Sequence, residues 1–331
     1  VLGKLTKTFE VKDLLTDVLR NEKVKSNLLQ KICKYENKCN LVNHLHSLDA
    51  PELARQLIEG VIEEKDTLTR YLNRERYSLR PLHNFFYTRD AAMSVLDQVL
   101  IGRMANLVRE RESMIMETIF DFHELFVTKT VNPLNSDNFT PEISIEGGDV
   151  LIARDDILCI GTGTRTTTQG IDFILERLLS QKEKSRHILV QELPYKPESF
   201  IHLDMVFTFL DVDTCMVYEP LILQTNRFQT IHIKIENGKV TSIKEEENLV
   251  KSLKDLGMDL KPVYCGGTKD PWIQEREQWH SGANFFAIGP GKVIGYERNV
   301  YTIEEMHKNG FEIIKANDII KGKVDPSGYK K

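Results

Sequence analysis

Apolar residues in the first part of the chain recur three and four positions apart, as in 14–19, 28–32 and 53–62. This spacing places the apolar side chains on one face of each helix. Asp49 is expected to cap one of these helices, with Pro51 in its first turn. The pattern predicts a helical subdomain over residues 1–78, and no polar cluster within it indicates catalysis.

From Leu79 onwards, short strands and helices alternate, which predicts an α/β domain over residues 79–331. Asn237-Gly238 favours a tight turn and predicts a hairpin over residues 229–243. The other predicted strands are 92–99, 144–152, 157–160, 187–192, 201–210 and 285–288. The predicted helices are 109–122, 166–179 and 246–256.

The stretch Ile201–Asp211 has the pattern of a buried strand that carries two ionisable side chains. In a strand, His202 and Asp204 would point to the same face, because successive side chains alternate. An imidazole beside a carboxylate suits a cationic substrate that needs a proton moved. The alternative is a structural strand with one satisfied histidine and one edge aspartate.

Composition narrows the class of protein. The chain has 331 residues and 41% apolar content, enough for a sizeable core. It contains no run of about 18 apolar residues, so we expect no membrane span. A net charge of −5, with both signs mixed along the chain, does not favour nucleic acid. Five cysteines without framework spacing indicate a reduced, cytoplasmic compartment.

The segment Asn84–Asp90 combines aromatic residues with an Arg-Asp pair. Tyr87 could stack on a planar cation, and Asp90 could accept two hydrogen bonds from its N–H groups. The alternative is a surface ion pair between Arg89 and Asp90, which is common before a strand.

Two glycines stand between two carboxylates in Glu146-Gly147-Gly148-Asp149. Paired glycines usually mark a bulge or a close approach of the backbone. The functional interpretation is that they let Glu146 turn into a cleft, and the alternative is an acidic turn.

Gly161–Gly170 is a glycine- and threonine-rich loop between a predicted strand and a predicted helix. Its glycine spacing fits no nucleotide-binding fingerprint. Thr164 or Thr166 is expected to cap the helix, and Arg165 could hold a substrate carboxylate through two hydrogen bonds. Cys265 precedes paired glycines, but no base lies at a nearby spacing, so we interpret it as structural.

Taken together, the candidate polar residues describe a site for a guanidinium group. Several carboxylates around one histidine would repel each other unless a cation lies among them. A guanidinium offers N–H donors in a plane and needs no metal, and arginines at the far end would bind a carboxylate. The residues therefore describe a site shaped for arginine.

The chain resembles the arginine deiminase family, whose members are guanidine-modifying enzymes of the pentein fold. The resemblance extends from the helical segment to about residue 314. It rests on the order and spacing of motifs of which each alone is weak: Asn84-x-x-Tyr87-Thr88-Arg89-Asp90, Glu146-Gly147-Gly148-Asp149, the Arg165 loop, His202-Leu203-Asp204-Met205, Cys265-Gly266-Gly267, Arg276-Glu277-Gln278-Trp279 with Asn284, and Tyr296-Glu297-Arg298-Asn299. It implies a five-bladed α/β propeller with a helical insertion, and hydrolysis of L-arginine to L-citrulline and ammonia without metal or cofactor.

The resemblance also implies a role for each candidate residue. Asp90 and Asp204 would bind the guanidinium, His202 would be the general acid and base, and Glu146 would favour its charged form. The implied substrate-binding residues are Asn84, Tyr87, Arg109, Asp149 and Arg165. Of these, Asn84, Arg109 and Arg165 would bind the α-carboxylate. Arg109 is placed by spacing alone, so Arg111 remains an alternative.

The family's nucleophile is a cysteine in a loop near the C-terminus, and no cysteine of this chain stands at the matching position. We therefore expect the nucleophile beyond residue 331, both chain ends to be truncated, and this stretch alone to be inactive. In the family, the thiolate forms a thiouronium intermediate that water then cleaves.

Two other functions stay open. One is a different guanidine-modifying enzyme, such as an agmatine deiminase, a dimethylarginine hydrolase or an amidinotransferase. The other is a non-catalytic arginine-binding remnant. In each case the expected partner is a small molecule, with no nucleic acid or membrane, and the chain is expected to form a homo-oligomer.

Overall fold

A computed structural model describes residues 2–180 and 185–329 of the chain. The helices of these residues are α1 (Leu2–Leu5), α2 (Val11–Leu19), α3 (Glu22–Tyr35), α4 (Val42–Ser47), α5 (Ala50–Glu59), α6 (Leu68–Leu72), α7 (Thr88–Ala91), α8 (Glu110–Phe122), α9 (Thr168–Leu179), α10 (Glu219–Ile222), α11 (Leu249–Asp255), α12 (Pro271–Trp279), α13 (Val300–Lys308) and α14 (Ala316–Ile320).

The strands of the described residues are β1 (Val61–Ile62), β2 (Tyr77–Leu79), β3 (Ala92–Val95), β4 (Gln98–Ile101), β5 (Lys129–Val131), β6 (Val150–Arg154), β7 (Ile157–Thr162), β8 (Arg186–Glu192), β9 (Phe207–Asp211), β10 (Thr214–Val217), β11 (Thr230–Glu236), β12 (Lys239–Glu246), β13 (Lys261–Tyr264), β14 (Phe286–Gly289) and β15 (Lys292–Ile294). No helix in 2–180 or 185–329 is both long enough and apolar enough to span a bilayer.

The chain forms two compact units. The first, here called the insertion unit, is Thr8–Thr140, and the second, the main unit, comprises residues up to Lys7 and from Pro141 onwards. The predicted boundary at residue 78 does not coincide with this division. The reason is that α2, α3 and α5 share one apolar core with α8, so residues 79–140 belong with the helices that precede them.

Local signals account for the helices of the insertion unit. The side chain of Asp49 accepts a hydrogen bond from the Glu52 N–H at 2.9 Å, which confirms the predicted cap of α5. The same helix ends at Gly60, whose φ of +87° suits glycine, and a Cβ there would lie 2.6 Å from the Leu79 carbonyl oxygen. The predicted helical spacing through Ile62 is therefore wrong at its end, because 61–62 pairs with β2 as a strand.

The main unit contains a five-stranded sheet in the order β12-β11-β8-β7-β6. β7 and β8 are parallel and are connected through α9, whereas the other neighbours are antiparallel. The predicted hairpin is confirmed as β11–β12, with Asn237 and Gly238 both at positive φ. A three-stranded sheet, β13-β10-β9, lies in the same unit. The predicted α/β class is confirmed, and the five-bladed propeller stays a prediction.

Candidate active site

The candidate residues fall into two sets, one in each unit. The main unit carries the first set, and the insertion unit carries the second. The sets are Glu146, Asp149, Arg165, His202 and Asp204, and then Asn84, Tyr87, Asp90 and Arg109.

His202 does not lie on a strand, and the predicted strand 201–210 is wrong over its first six residues. His202 has extended backbone and leads into a 3₁₀ turn, Leu203–Met205, and β9 begins only at Phe207. The turn forms because the Leu203 N–H donates to Asp149 Oδ1 at 2.9 Å and the Met205 N–H donates to the His202 carbonyl at 3.2 Å. His202 and Asp204 therefore do not share the face of one strand.

His202 Nε2 lies 3.1 Å from Oε2 of Glu146. The Glu146 carboxylate is fully buried, and its other oxygen, Oε1, lies 3.5 Å from Nη1 of Arg165. A carboxylate at this distance attracts the protonated imidazole, whereas burial of the ring opposes the charged form through lost hydration. The arrangement can hold a proton on His202 and supply it to a bound group.

Gly148 makes this position of the imidazole possible. A Cβ atom on Gly148 would lie 2.6 Å from both Cγ and Nδ1 of His202, closer than side-chain carbons approach. The paired glycines of the 146–149 segment thus mark a close approach of the backbone to the histidine ring.

Asp149 is fully buried and contacts the turn that follows His202. Its Oδ1 accepts from the Leu203 N–H, and a Cβ on Gly161 would lie 2.4 Å from this oxygen. Burial raises the pKa of Asp149 to about 7, because the charged form loses its hydration. A substrate-binding role for Asp149 stays a prediction, and its contacts include the Leu203 N–H, between His202 and Asp204, and the side chain of Thr166.

Asp149 should make stability depend on pH. Because its pKa is raised in the folded state, that state binds the proton more tightly than the unfolded chain does. The resulting stability is fully present below the unfolded pKa and is lost as pH rises to about 7. We expect the free-energy difference between the parent and Asp149→Asn to change by about 1.4 kcal/mol per pH unit within this window. Urea unfolding of both proteins across it measures this difference, and a difference independent of pH would contradict the assignment.

The loop before α9 is tied to Glu146. Thr167 caps α9 by accepting from the Gly170 N–H at 3.2 Å, so the predicted caps Thr164 and Thr166 are wrong. Thr166 Oγ1 instead accepts from the Glu146 N–H at 3.2 Å. The loop therefore holds both the backbone and, through Arg165, the carboxylate of Glu146.

In the insertion unit, Asp90 and Arg109 contact each other. Arg109 Nη1 donates to Asp90 Oδ2 at 3.0 Å, and Nη2 donates to Glu112 Oε2 at 2.8 Å. All three side chains are buried. Glu112 was not among the predicted residues, although its position three residues after Arg109 on a helix is a signal for such a pair.

Arg111, the alternative to Arg109, points elsewhere. Its Nη1 donates to Glu36 Oε1 at 2.7 Å, its Nη2 donates to the Arg80 carbonyl, and its side chain is 1% exposed. These contacts occupy Arg111 within the helical core of the insertion unit. Arg109, by contrast, contacts a predicted substrate-binding residue, Asp90.

Asn84 and Tyr87 lie at the surface near this ion pair. The Asn84 carbonyl is 3.5 Å from Arg109 Nη2, and Asn84 itself is exposed. Tyr87 is 50% exposed, and its ring centroid lies 4.2 Å from that of Phe86. The roles of both toward a substrate stay predictions.

Comparison with known proteins identifies the family. The family model described as arginine deiminase matches residues 4–323. The chain belongs to the arginine deiminase family. It is 30% identical over 321 residues to the arginine deiminase of Levilactobacillus brevis, covering 92% of this chain and 77% of that protein. It is 31% identical over 334 residues to the arginine deiminase of Bacillus cereus, covering 95% and 80%.

A solved structure with some similarity is an amidinotransferase from Microseira wollei. It is 14% identical, covers 72% of this chain and 65% of its own, and has a TM-score of 0.46. This similarity is too low to assign a fold. Membership of the arginine deiminase family rests on the family model and on the relatives.

Four of the five cysteines of this arginine deiminase family member are buried thiols with raised pKa values. Cys265 is fully buried, and burial raises its pKa to about 12. Thr302 Oγ1 donates to its sulfur at 3.7 Å, which lowers the pKa, but the effect of burial is larger. Cys33, Cys159 and Cys215 are also buried, with raised pKa values, and Cys39 is exposed.

Within the Arg276–Trp279 motif, Glu277 has a structural role that the sequence did not predict. The Glu277 carboxylate is fully buried and accepts from the Tyr301 N–H at 3.0 Å, the Thr302 N–H at 2.7 Å and Thr302 Oγ1 at 2.6 Å. These groups lie at the start of α13, where backbone N–H groups lack partners within the helix. Glu277 therefore stabilises the N-terminus of α13.

Proposed function

We propose that this protein hydrolyses L-arginine to L-citrulline and ammonia. The observation that carries the proposal is the pair formed by His202 Nε2 and the buried Glu146 carboxylate at 3.1 Å, in a chain of the arginine deiminase family. A histidine paired with a buried carboxylate can donate a proton to a leaving amine and take one from water. Both proton transfers are needed to convert a guanidinium into a ureido group.

The reaction begins with a cysteine thiolate that attacks the guanidinium carbon and forms a C–S bond. His202 donates a proton to one amino group, the C–N bond breaks, and ammonia leaves. His202 then takes a proton from water, which attacks the thiouronium carbon. The C–S bond breaks, citrulline is released, and the thiolate is restored. Asp204 would bind the guanidinium during these steps.

The five cysteines present support a nucleophile outside this sequence. Cys33, Cys159, Cys215 and Cys265 are buried with raised pKa values, so each is mostly a neutral thiol at pH 7. Cys39, the exposed one, donates its S–H to the Cys33 carbonyl at 3.8 Å. We therefore propose that the thiolate comes from a residue beyond 331.

In the insertion unit, Asp90 would also bind the guanidinium, and Arg109 would bind the α-carboxylate. Arg109 Nη1 now occupies Asp90 Oδ2 at 3.0 Å. A substrate guanidinium would have to share or replace this contact, and Glu112 would keep Arg109 charged and oriented after the exchange. Asn84, Tyr87 and Arg165 complete the proposed substrate contacts.

The proposed function also implies an architecture, an oligomeric state and a cellular compartment. We infer a five-bladed propeller architecture, a homo-oligomer and a reduced cytosolic compartment, consistent with five free thiols. Size-exclusion chromatography with light scattering tests the oligomer, and a molar mass equal to one chain would contradict it.

The direct test is the amount of citrulline and ammonia that forms from L-arginine with the full-length protein. His202→Ala should lower kcat by about 10²- to 10⁴-fold, because general acid–base catalysis contributes a factor of this size. Cys265→Ser is the control and should leave activity unchanged, since that thiol is buried and neutral. Binding of arginine without turnover in the parent would favour a non-catalytic arginine-binding protein.

Agmatine distinguishes arginine deiminase activity from that of a related enzyme. Agmatine lacks the α-carboxylate, so it would lose the contacts proposed for Arg109 and Arg165. Loss of a charged hydrogen-bonding partner costs about 1.5–3 kcal/mol, which corresponds to about 10- to 100-fold in kcat/KM. Parallel assays with the two substrates measure this ratio. If agmatine were consumed faster than arginine, the roles of both arginines would be wrong.

A further inference from the structure

The side chain of Gln278 reaches from α12 to the segment that carries His202 and Asp204. Its Nε2 donates to the Ser199 carbonyl and lies 3.5 Å from the Met205 carbonyl. These two carbonyls stand on either side of His202 and Asp204 in the sequence. Gln278 is 1% exposed, so little water competes for these contacts.

One amide nitrogen therefore joins the two ends of segment 199–205. A primary amide has two N–H donors, and here one is available for each carbonyl. A buried carbonyl without a hydrogen-bond partner destabilises the fold. The conformation of segment 199–205 in which both carbonyls reach Gln278 is therefore favoured. We infer that Gln278 is a positioning residue that keeps His202 beside Glu146.

The turn after α12 adds two contacts to the same region. Asn284 Nδ2 donates to the Asp204 carbonyl at 3.2 Å, and Thr208 Oγ1 donates to the Ala283 carbonyl at 2.7 Å. Residues 278–284 thus contact the backbone around His202 and Asp204 at several points. The neighbouring residue Glu277 instead accepts a hydrogen bond from the Thr302 N–H at the start of α13.

The value of this positioning for catalysis rests on the proposed function. A general acid must lie within hydrogen-bond reach of the group it protonates, and a displacement of about 1 Å can cost about 10²-fold in rate. His202 has its partner Glu146 on a different segment, 56 positions earlier. The segment conformation therefore decides whether the two side chains meet.

The test is Gln278→Met, which preserves side-chain length and removes both donors. Gln274→Met is the matched control, because Gln274 is a buried glutamine on the same helix. Its Nε2 donates to the Gly267 carbonyl at 2.6 Å and to Glu219 Oε2 at 3.2 Å, away from His202. The readout is the titration midpoint of the His202 imidazole, followed by NMR of histidine-labelled full-length protein.

We expect the His202 midpoint to fall by about one pH unit in Gln278→Met, because the imidazolium loses its carboxylate partner. The midpoint should stay unchanged in Gln274→Met. An unchanged midpoint in Gln278→Met, or an equal change in both variants, would overturn the inference. If Gln278→Met does not fold, Gln278→Asn, which keeps the amide but shortens its reach to the two carbonyls, takes its place under the same criterion.

The same samples separate this inference from the proposed function. If the parent does not hydrolyse arginine, the proposed function fails, and the His202 midpoint still decides the role of Gln278. If the parent is active, kcat should fall in Gln278→Met in parallel with the change in midpoint and stay at the parent value in Gln274→Met.

Discussion

Gly148→Ala should displace the His202 ring from Glu146 and abolish most of the activity. The added Cβ would lie 2.6 Å from the imidazole, and the ring is held from the other side by Glu146. We expect a loss of about 1–3 kcal/mol in the free energy of unfolding, as for other overpacked sites. We also expect kcat to fall by about 10²-fold or more, because the general acid is misplaced.

The measurements for this prediction are urea unfolding, arginine turnover and the NMR signals of His202. Gly289→Ala is the control, since a Cβ there has no neighbour within 4 Å and no positive φ is involved. It should change stability by no more than about 0.5 kcal/mol, the usual range for surface substitutions. His202 signals in Gly148→Ala identical to those of the parent would show that the ring tolerates the methyl group.

Arg111→Met should strongly destabilise the insertion unit without acting through substrate contacts. Its side chain is 1% exposed, and its Nη1 lies 2.7 Å from Oε1 of Glu36, whose side chain is 22% exposed. Removing one partner of a buried ion pair leaves an uncompensated charge and costs about 3–5 kcal/mol. We expect a loss near the lower end of that range, because Glu36 retains some contact with water.

Arg70→Met provides a control with the same contact distance. Arg70 Nη1 also lies 2.7 Å from its partner, Asp66, but both side chains are about half exposed. Exposed pairs contribute about 0–1 kcal/mol, so this variant should remain close to the parent in denaturant unfolding. The double variant Arg111→Met/Glu36→Leu should recover much of the lost stability, because no buried charge remains. Equal losses in Arg111→Met and Arg70→Met would contradict the role of burial.

Features that depend on neighbouring residues could be predicted from the sequence. The cap at Asp49, the Asn237-Gly238 hairpin and α8 follow from local hydrogen bonds, backbone preferences and apolar spacing. The alternation of strands and helices likewise predicted the α/β class. The family could be assigned from the order and spacing of short motifs, because both can be read directly from the sequence.

The tertiary structure decided features that join distant parts of the chain. His202 stands on a turn and not on a strand, because Asp149, 54 positions before Leu203, takes the Leu203 N–H that a strand would use in a ladder. Glu112 and Gln278 were not predicted as parts of the candidate site. Apolar spacing reports which face of an element is buried, whereas the partner of a buried polar group depends on which segments pack together.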